Sequence, residues 1–161
     1  MIVLGHIAYP TLTFMLLAKL LNIYYTSSDL MLLMIFSFLP DIDLLIHYVA
    51  KNGNTNEVPQ HHNWFTHWPI TYVPLIIALI LYPHLKLFLI TFGIYAHIML
   101  DMVFSGDGIM FFYPFSKKYY NFLSEKTKNR HGPDWFSAYR KLPIYKIDII
   151  AFVLLVAMII T

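Results

Sequence analysis

Apolar residues run along this chain in blocks too long for the alternation of a half-buried strand, and polar residues fall mostly between the blocks. Five blocks stand out: Ile2 to Tyr25, Leu30 to Val49, Trp68 to Tyr82, Leu85 to Phe104 and Ile147 to Thr161. A helix needs roughly 20 mostly apolar residues to cross a bilayer. The first, second and fourth blocks have that length. The third and fifth, near 15 residues each, cross only with local thinning or flanking aromatics. The pattern predicts an all-α integral membrane bundle of about four to five hydrophobic helices. A cleavable signal peptide is not expected, because no basic region precedes the first block and Pro10 interrupts it.

Composition narrows the class further. Of 161 residues, 58% are hydrophobic and only 12% charged, against about 45–50% and about 25% in soluble domains. That leaves too few charges to coat a solvated surface. Aromatics at 17% exclude disorder, and the absence of cysteine excludes a disulfide-stapled module. The length suits one domain over residues 1–161, with a basic, aromatic interfacial loop at 105–146. A net charge of +2 is too small to argue for nucleic acid, which is not expected as a partner.

The cations set an orientation. Lys117, Lys118, Lys126, Lys128, Arg130, Arg140, Lys141 and Lys146 all lie between the fourth and fifth blocks, out of eleven Lys and Arg in all. By the positive-inside rule that loop is cytoplasmic. Counting back places the amino terminus and the segment Ala50 to His67 on the same side, leaving Lys19 and Lys86 outside.

Ionisable groups inside a membrane are costly, and usually functional. His6, Asp41, Asp43, His47, His97 and Asp101 lie within the blocks, with His61, His62 and His67 just before the third. The orientation brings His6, Asp41 and Asp43, His67, and His97 with Asp101 to one end of the bundle. His97 and Asp101, four apart, share a helical face, and so do Asp43 and His47. Asp41 and Asp43 cannot share a face in a regular helix. Pro40, however, predicts a kink that would aim one carboxylate inward and leave the other supporting. His47 is expected to orient Asp43. His61 and His84 read as solvated or interfacial, and His131 sits in a turn-like stretch.

Imidazole and carboxylate together suit zinc, manganese or iron, and so many candidate ligands allow one ion or two. The expected chemistry is attack by metal-activated water on a carbonyl or phosphoryl centre, with Asp41 or Asp43 as general base. An ion pair between helices, a proton relay and a buried polar network are the competing readings of these same residues.

Gly5-His6, Leu39-Pro40-Asp41-Ile42-Asp43, His62-Asn63-Trp64-Phe65-Thr66-His67 and His97-Ile98-Met99-Leu100-Asp101 follow one another in order. With Ser105-Gly106-Asp107-Gly108 and Tyr113-Pro114-Phe115-Ser116, this series resembles the membrane-bound metal-dependent hydrolases, the YdjM-like inner-membrane proteins. The resemblance covers about residues 5 to 116 and implies a helical membrane protein with a metal-dependent hydrolase site. It implicates His6, Asp41, Asp43, His62, His67, His97 and Asp101 as metal ligands, with Thr66 supporting them. The chain departs from the family's HRGFTHS by carrying Asn63 for Arg, Trp64 for Gly and Trp68 for Ser. A looser similarity to zinc-dependent phospholipase C suggests phosphodiester chemistry.

The loop after the fourth block mixes its cations with Tyr119, Tyr120, Phe122, Trp135, Phe136 and Tyr139. Such a mixture anchors a protein at the membrane interface and attracts anionic lipid. Lys117, Lys118 and Arg130 are expected to hold a phosphorylated or anionic headgroup. The leading expectation is a cytoplasm-facing hydrolase of the inner membrane, acting on an amphipathic phosphoester or lipid ester. The alternatives are a metal or proton transporter, or a non-catalytic protein whose metal ties the helices together.

Overall fold

The computed structural model describes residues 2–50, 61–105, 108–122 and 132–160. Seven α-helices follow in order: α1 (Val3–Leu21), α2 (Ser27–Phe38), α3 (Ile42–Ala50), α4 (Val73–Leu81), α5 (Leu85–Phe104), α6 (Gly132–Tyr139) and α7 (Pro143–Ile160). A 3-10 turn at Leu39–Asp41 joins α2 to α3, and three more, His61–Asn63, Phe65–His67 and Pro69–Tyr72, lead into α4. Among the described residues there is no strand, only an isolated bridge between Ile109 and Tyr120. The fold is an all-helical bundle, and four of its stretches are long and apolar enough to cross a membrane: Val3–Leu21, Ser27–His47, Leu85–Phe104 and Pro143–Ile160.

The fifth apolar block is longer than its side chains suggest. Its helix starts at Pro143, where a proline suits the first turn because the missing amide would have no helical partner there. The third block behaves in the opposite way. Its start is not an α-helix opened by His67. Two 3-10 turns occupy Phe65–His67 and Pro69–Tyr72, and the α-helix begins only at Val73, with Pro74 in its first turn. Pro69 holds the residue before it, Trp68, in an extended conformation, which interrupts the helical path there, whereas Val73 before Pro74 is already helical. The interfacial loop also contains α6, which the sequence pattern did not predict.

α2 and α5 run side by side in the same direction, with Leu33 and Ser37 against Gly93 and His97. A Cβ on Gly93 would lie 3.0 Å from the Ser37 amide nitrogen and 3.1 Å from the Leu33 carbonyl oxygen, so any side chain there would have to push the two backbones apart by a few tenths of an ångström. Close backbone packing of this kind is a main source of helix association in lipid, where apolar burial drives little. α1 runs the other way, starting where α2 and α5 end. Ala8, Phe14, Ala18, Leu30, Leu33, Leu89, Ala151 and Leu155 form the core between α1, α2, α5 and α7. Leu20, Ile35, Ile80 and Val153 are exposed on the outer faces, which suits contact with lipid.

The segment from His61 to Tyr72 is a run of short 3-10 turns that buries His62, Thr66, His67 and Pro69 and exposes Asn63, Phe65 and Ile70. Tyr72 donates its hydroxyl to the Thr66 carbonyl at 2.8 Å, and Tyr95, halfway along α5, donates to the Pro69 carbonyl at 2.9 Å. Non-helical backbone at membrane depth requires such internal partners. These bonds hold His62 and His67 beside the ends of α2 and α5.

Candidate metal centre

The site begins with a break in a helix. Pro40 brings no amide, and the chain tightens into the 3-10 turn Leu39–Asp41 before α3 resumes. Carbonyls just before such a break lose their helical donors. One of them, Ser37, accepts a hydrogen bond from His97 Nδ1 at 2.8 Å. That bond fixes the imidazole tautomer and turns Nε2 toward the carboxylates.

Asp41, His67, His97 and Asp101 then form a buried group whose ligand atoms all lie within 4.8 Å of one another. His97 Nε2 is 3.1 Å from Asp101 Oδ2 and 3.5 Å from Asp41 Oδ1. His67 Nε2 is 3.5 Å from Asp41 Oδ1 and 3.7 Å from Asp101 Oδ2. Zinc with ligand bonds of about 2.0–2.2 Å in a tetrahedron separates its ligands by about 3.3–3.6 Å. These four of the six ligand–ligand distances bracket that edge length, and the other two are within 4.8 Å.

Behind His67 the hydrogen-bonding neighbour is a hydroxyl, with the Asp43 carboxylate farther off. The His67 Nδ1 lies 3.2 Å from Thr66 Oγ1 and 3.8 Å from Asp43 Oδ2. A carboxylate or carbonyl behind a ligating imidazole orients the ring and raises its basicity. Burial pushes the His67 pKa down to about 4, so the ring is neutral, which is the ligating form. His97 Nε2 is buried without a hydrogen bond of its own, an atom that a cation would satisfy. Imidazole nitrogens and carboxylates thus converge with their lone pairs inward, and these residues fit a divalent metal ion.

The remaining candidates surround this group. His6 Nε2 is 3.1 Å from Asp101 Oδ1, and its ring stacks on His97 with centroids 3.8 Å apart. His62 Nε2 approaches Asp101 Oδ2 at 3.5 Å. His6, Asp41, Asp43, His62, His67, His97 and Asp101 are all at most 4% exposed. Asp43 stands outside the group of four. Its Oδ1 accepts from the Leu44 amide, and its Oδ2 faces His67. The kink therefore does what the spacing of the two aspartates required.

His47, expected to orient Asp43, makes its ring contact with another residue. Its ring meets Trp64 edge-on at 4.3 Å, because α3 turns that face toward the His62–His67 segment. The other two departures from the family's motif are contacts too: Trp68 stacks on Tyr113 at 3.8 Å, and Asn63 accepts from the Tyr119 hydroxyl. These three contacts fasten the segment to α3 and to residues 108–122. Lys117 and Lys118 are exposed on that stretch, near Phe112, Phe115 and Phe122. Arg130 and His131, like Lys126 and Lys128, lie outside the described residues.

Sequence reasoning missed a further buried carboxylate, apart from those of the cluster. Asp148 on α7 accepts from the hydroxyls of Tyr9 at 3.0 Å and Tyr139 at 2.6 Å. Its signal was available, since an aspartate inside an apolar block needs donors. Those donors come from residues remote in sequence.

Fold and site together define a helical membrane protein with a buried imidazole–carboxylate cluster that could hold a metal ion. The chain belongs to the YdjM inner membrane protein family, whose model matches residues 1–161. No curated protein and no solved structure shows a significant match.

Proposed function

We propose that this protein is a metal-dependent hydrolase embedded in the inner membrane. The reading rests on one observation above others: Asp41, His67, His97 and Asp101 gather from three separate segments with ligand atoms within 4.8 Å. Zinc is the simplest occupant for this donor set, with manganese or iron as alternatives, and the surrounding His6 and His62 leave room in the account for a second ion. Such an ion supplies a Lewis acid that brings the pKa of water near neutrality and polarises a phosphoryl or carbonyl oxygen.

The chain's own residues divide the remaining work. The Ser37 carbonyl and the Thr66 hydroxyl hold the rings of His97 and His67 in register from behind, with Asp43 next to His67 at 3.8 Å. Asp41, whose Oδ1 lies 3.5 Å from both His67 Nε2 and His97 Nε2, is the carboxylate to which we assign the acceptance of a proton. The substrate class is an amphipathic phosphoester or lipid ester, with Lys117 and Lys118 holding its anionic headgroup at the interface. Orientation follows the cations: the amino terminus and the site face the cytoplasm. The test is hydrolysis of phosphodiester and ester lipids by metal-loaded protein in detergent. Turnover should disappear with His97→Ala. A metal-loaded wild type that hydrolyses none of them would contradict the reading.

A second reading draws on the burial of the whole cluster, since closed metal sites are commonly structural. An ion that only ties the helices together would raise the melting temperature without any turnover.

A further inference from the structure

We infer that Asp148 is a positioning residue for the metal centre: it pins the first turn of α1 and thereby sets His6 against Asp101. The inference rests on the metal reading above and adds a residue to it.

Asp148 is fully buried. A carboxylate placed there is costly unless donors surround it. Its donors come from segments far apart in the chain: Tyr139 at the end of α6 and Tyr9 on α1. Burial holds the Tyr139 phenol above its ordinary pKa, so it remains a donor. An apolar residue at 148 could fill the same space, but it would not fix the start of α1 in rotation or height.

Gly5 shows how closely the carboxylate is applied to that turn. A Cβ on Gly5 would sit 2.8 Å from Asp148 Oδ1 and 2.9 Å from its Cγ. The next residue is His6, whose Nε2 lies 3.1 Å from Asp101 Oδ1 while Asp101 Oδ2 lies 3.1 Å from His97 Nε2. Asp148 therefore acts on the cluster through a short chain: the Gly5 backbone, the His6 ring, and the orientation of the Asp101 carboxylate. Residues that orient ligands in this way change metal affinity without being ligands themselves.

The test is a double-mutant cycle on the full chain in detergent, with Zn²⁺ affinity read by competition against a chromophoric chelator and folding checked by thermal melting. Asp148→Asn should weaken Zn²⁺ about 10-fold or more with stoichiometry unchanged. In a His6→Ala background the same substitution should add nothing, because its route to the metal is already cut. If Asp148→Asn does not fold, Tyr139→Phe, which keeps the carboxylate and removes one donor, carries the same cycle. Wild-type affinity in a folded variant would overturn the role, and so would losses that multiply with that of His6→Ala. A wild type that binds no Zn²⁺ would overturn the metal reading, and this one with it. Binding by the wild type with an unaffected Asp148 variant overturns only the role of Asp148.

Discussion

His97 donates its Nδ1 proton to the Ser37 carbonyl at 2.8 Å, across the contact between α5 and α2. The bond links a helix break to a metal ligand: Pro40 frees backbone in α2, and an imidazole from the neighbouring helix takes it up. Pro40→Ala should let the ladder of α2 close through residue 41, withdrawing the Ser37 carbonyl and turning Asp41 away. Metal affinity should then fall about 10–100-fold, the range for losing a partner behind a ligand. A chelator competition would measure it, and an unchanged affinity would break the link between kink and site.

Asp41 and Asp43 sit two residues apart and hold different positions, one in the group of four and one behind His67. Asp41→Asn should abolish stoichiometric metal binding. Asp43→Asn should retain the ion with affinity lowered about 10–100-fold. Equal losses would show that the two carboxylates are equivalent ligands.

Gly93 allows the approach on which the Ser37–His97 bond depends. In Gly93→Ala the new Cβ meets backbone atoms of Ser37 and Leu33 at 3.0–3.1 Å, and backbone cannot swing aside. Overpacking of this kind costs about 1–3 kcal/mol. The variant should melt at lower temperature and bind metal more weakly, since His97 lies one turn along the same helix. Loss of stability with full metal affinity would separate packing from site geometry.

The chain has no cysteine, so single reporters give an unambiguous labelling result. Ser137 is exposed on α6, on the side of the site, and Ser28 is exposed at the start of α2, at the far end. Ser137→Cys should react with a membrane-impermeant maleimide only in inverted vesicles, and Ser28→Cys only in right-side-out cells. The reverse pattern would place the site outside.

Much of this architecture was legible in the residues because lipid imposes simple rules. The block Leu85 to Phe104 is α5 to the residue, and the first block overlaps α1 apart from the turn after Leu21. The ordered His and Asp motifs named the side chains that the fold gathers, and Pro40 marked the break between Asp41 and Asp43. Other features depend on contacts that no local pattern encodes. The ring of His47 meets Trp64, while Asp43 accepts from the Leu44 amide and faces His67. The 3-10 turns before α4 go with Pro69, which holds Trp68 extended, and with hydroxyls reaching in from Tyr72 and Tyr95. Asp148 is buried because Tyr9 and Tyr139 meet it from distant parts of the chain.

The central claim is that Asp41, His67, His97 and Asp101 hold a metal ion, and elemental analysis of detergent-purified protein tests it most directly. Wild type should carry a transition metal in stoichiometric amount, and His97→Ala and Asp101→Ala should each lose it while remaining helical. A wild type free of metal, or variants that retain the wild-type content, would contradict the account.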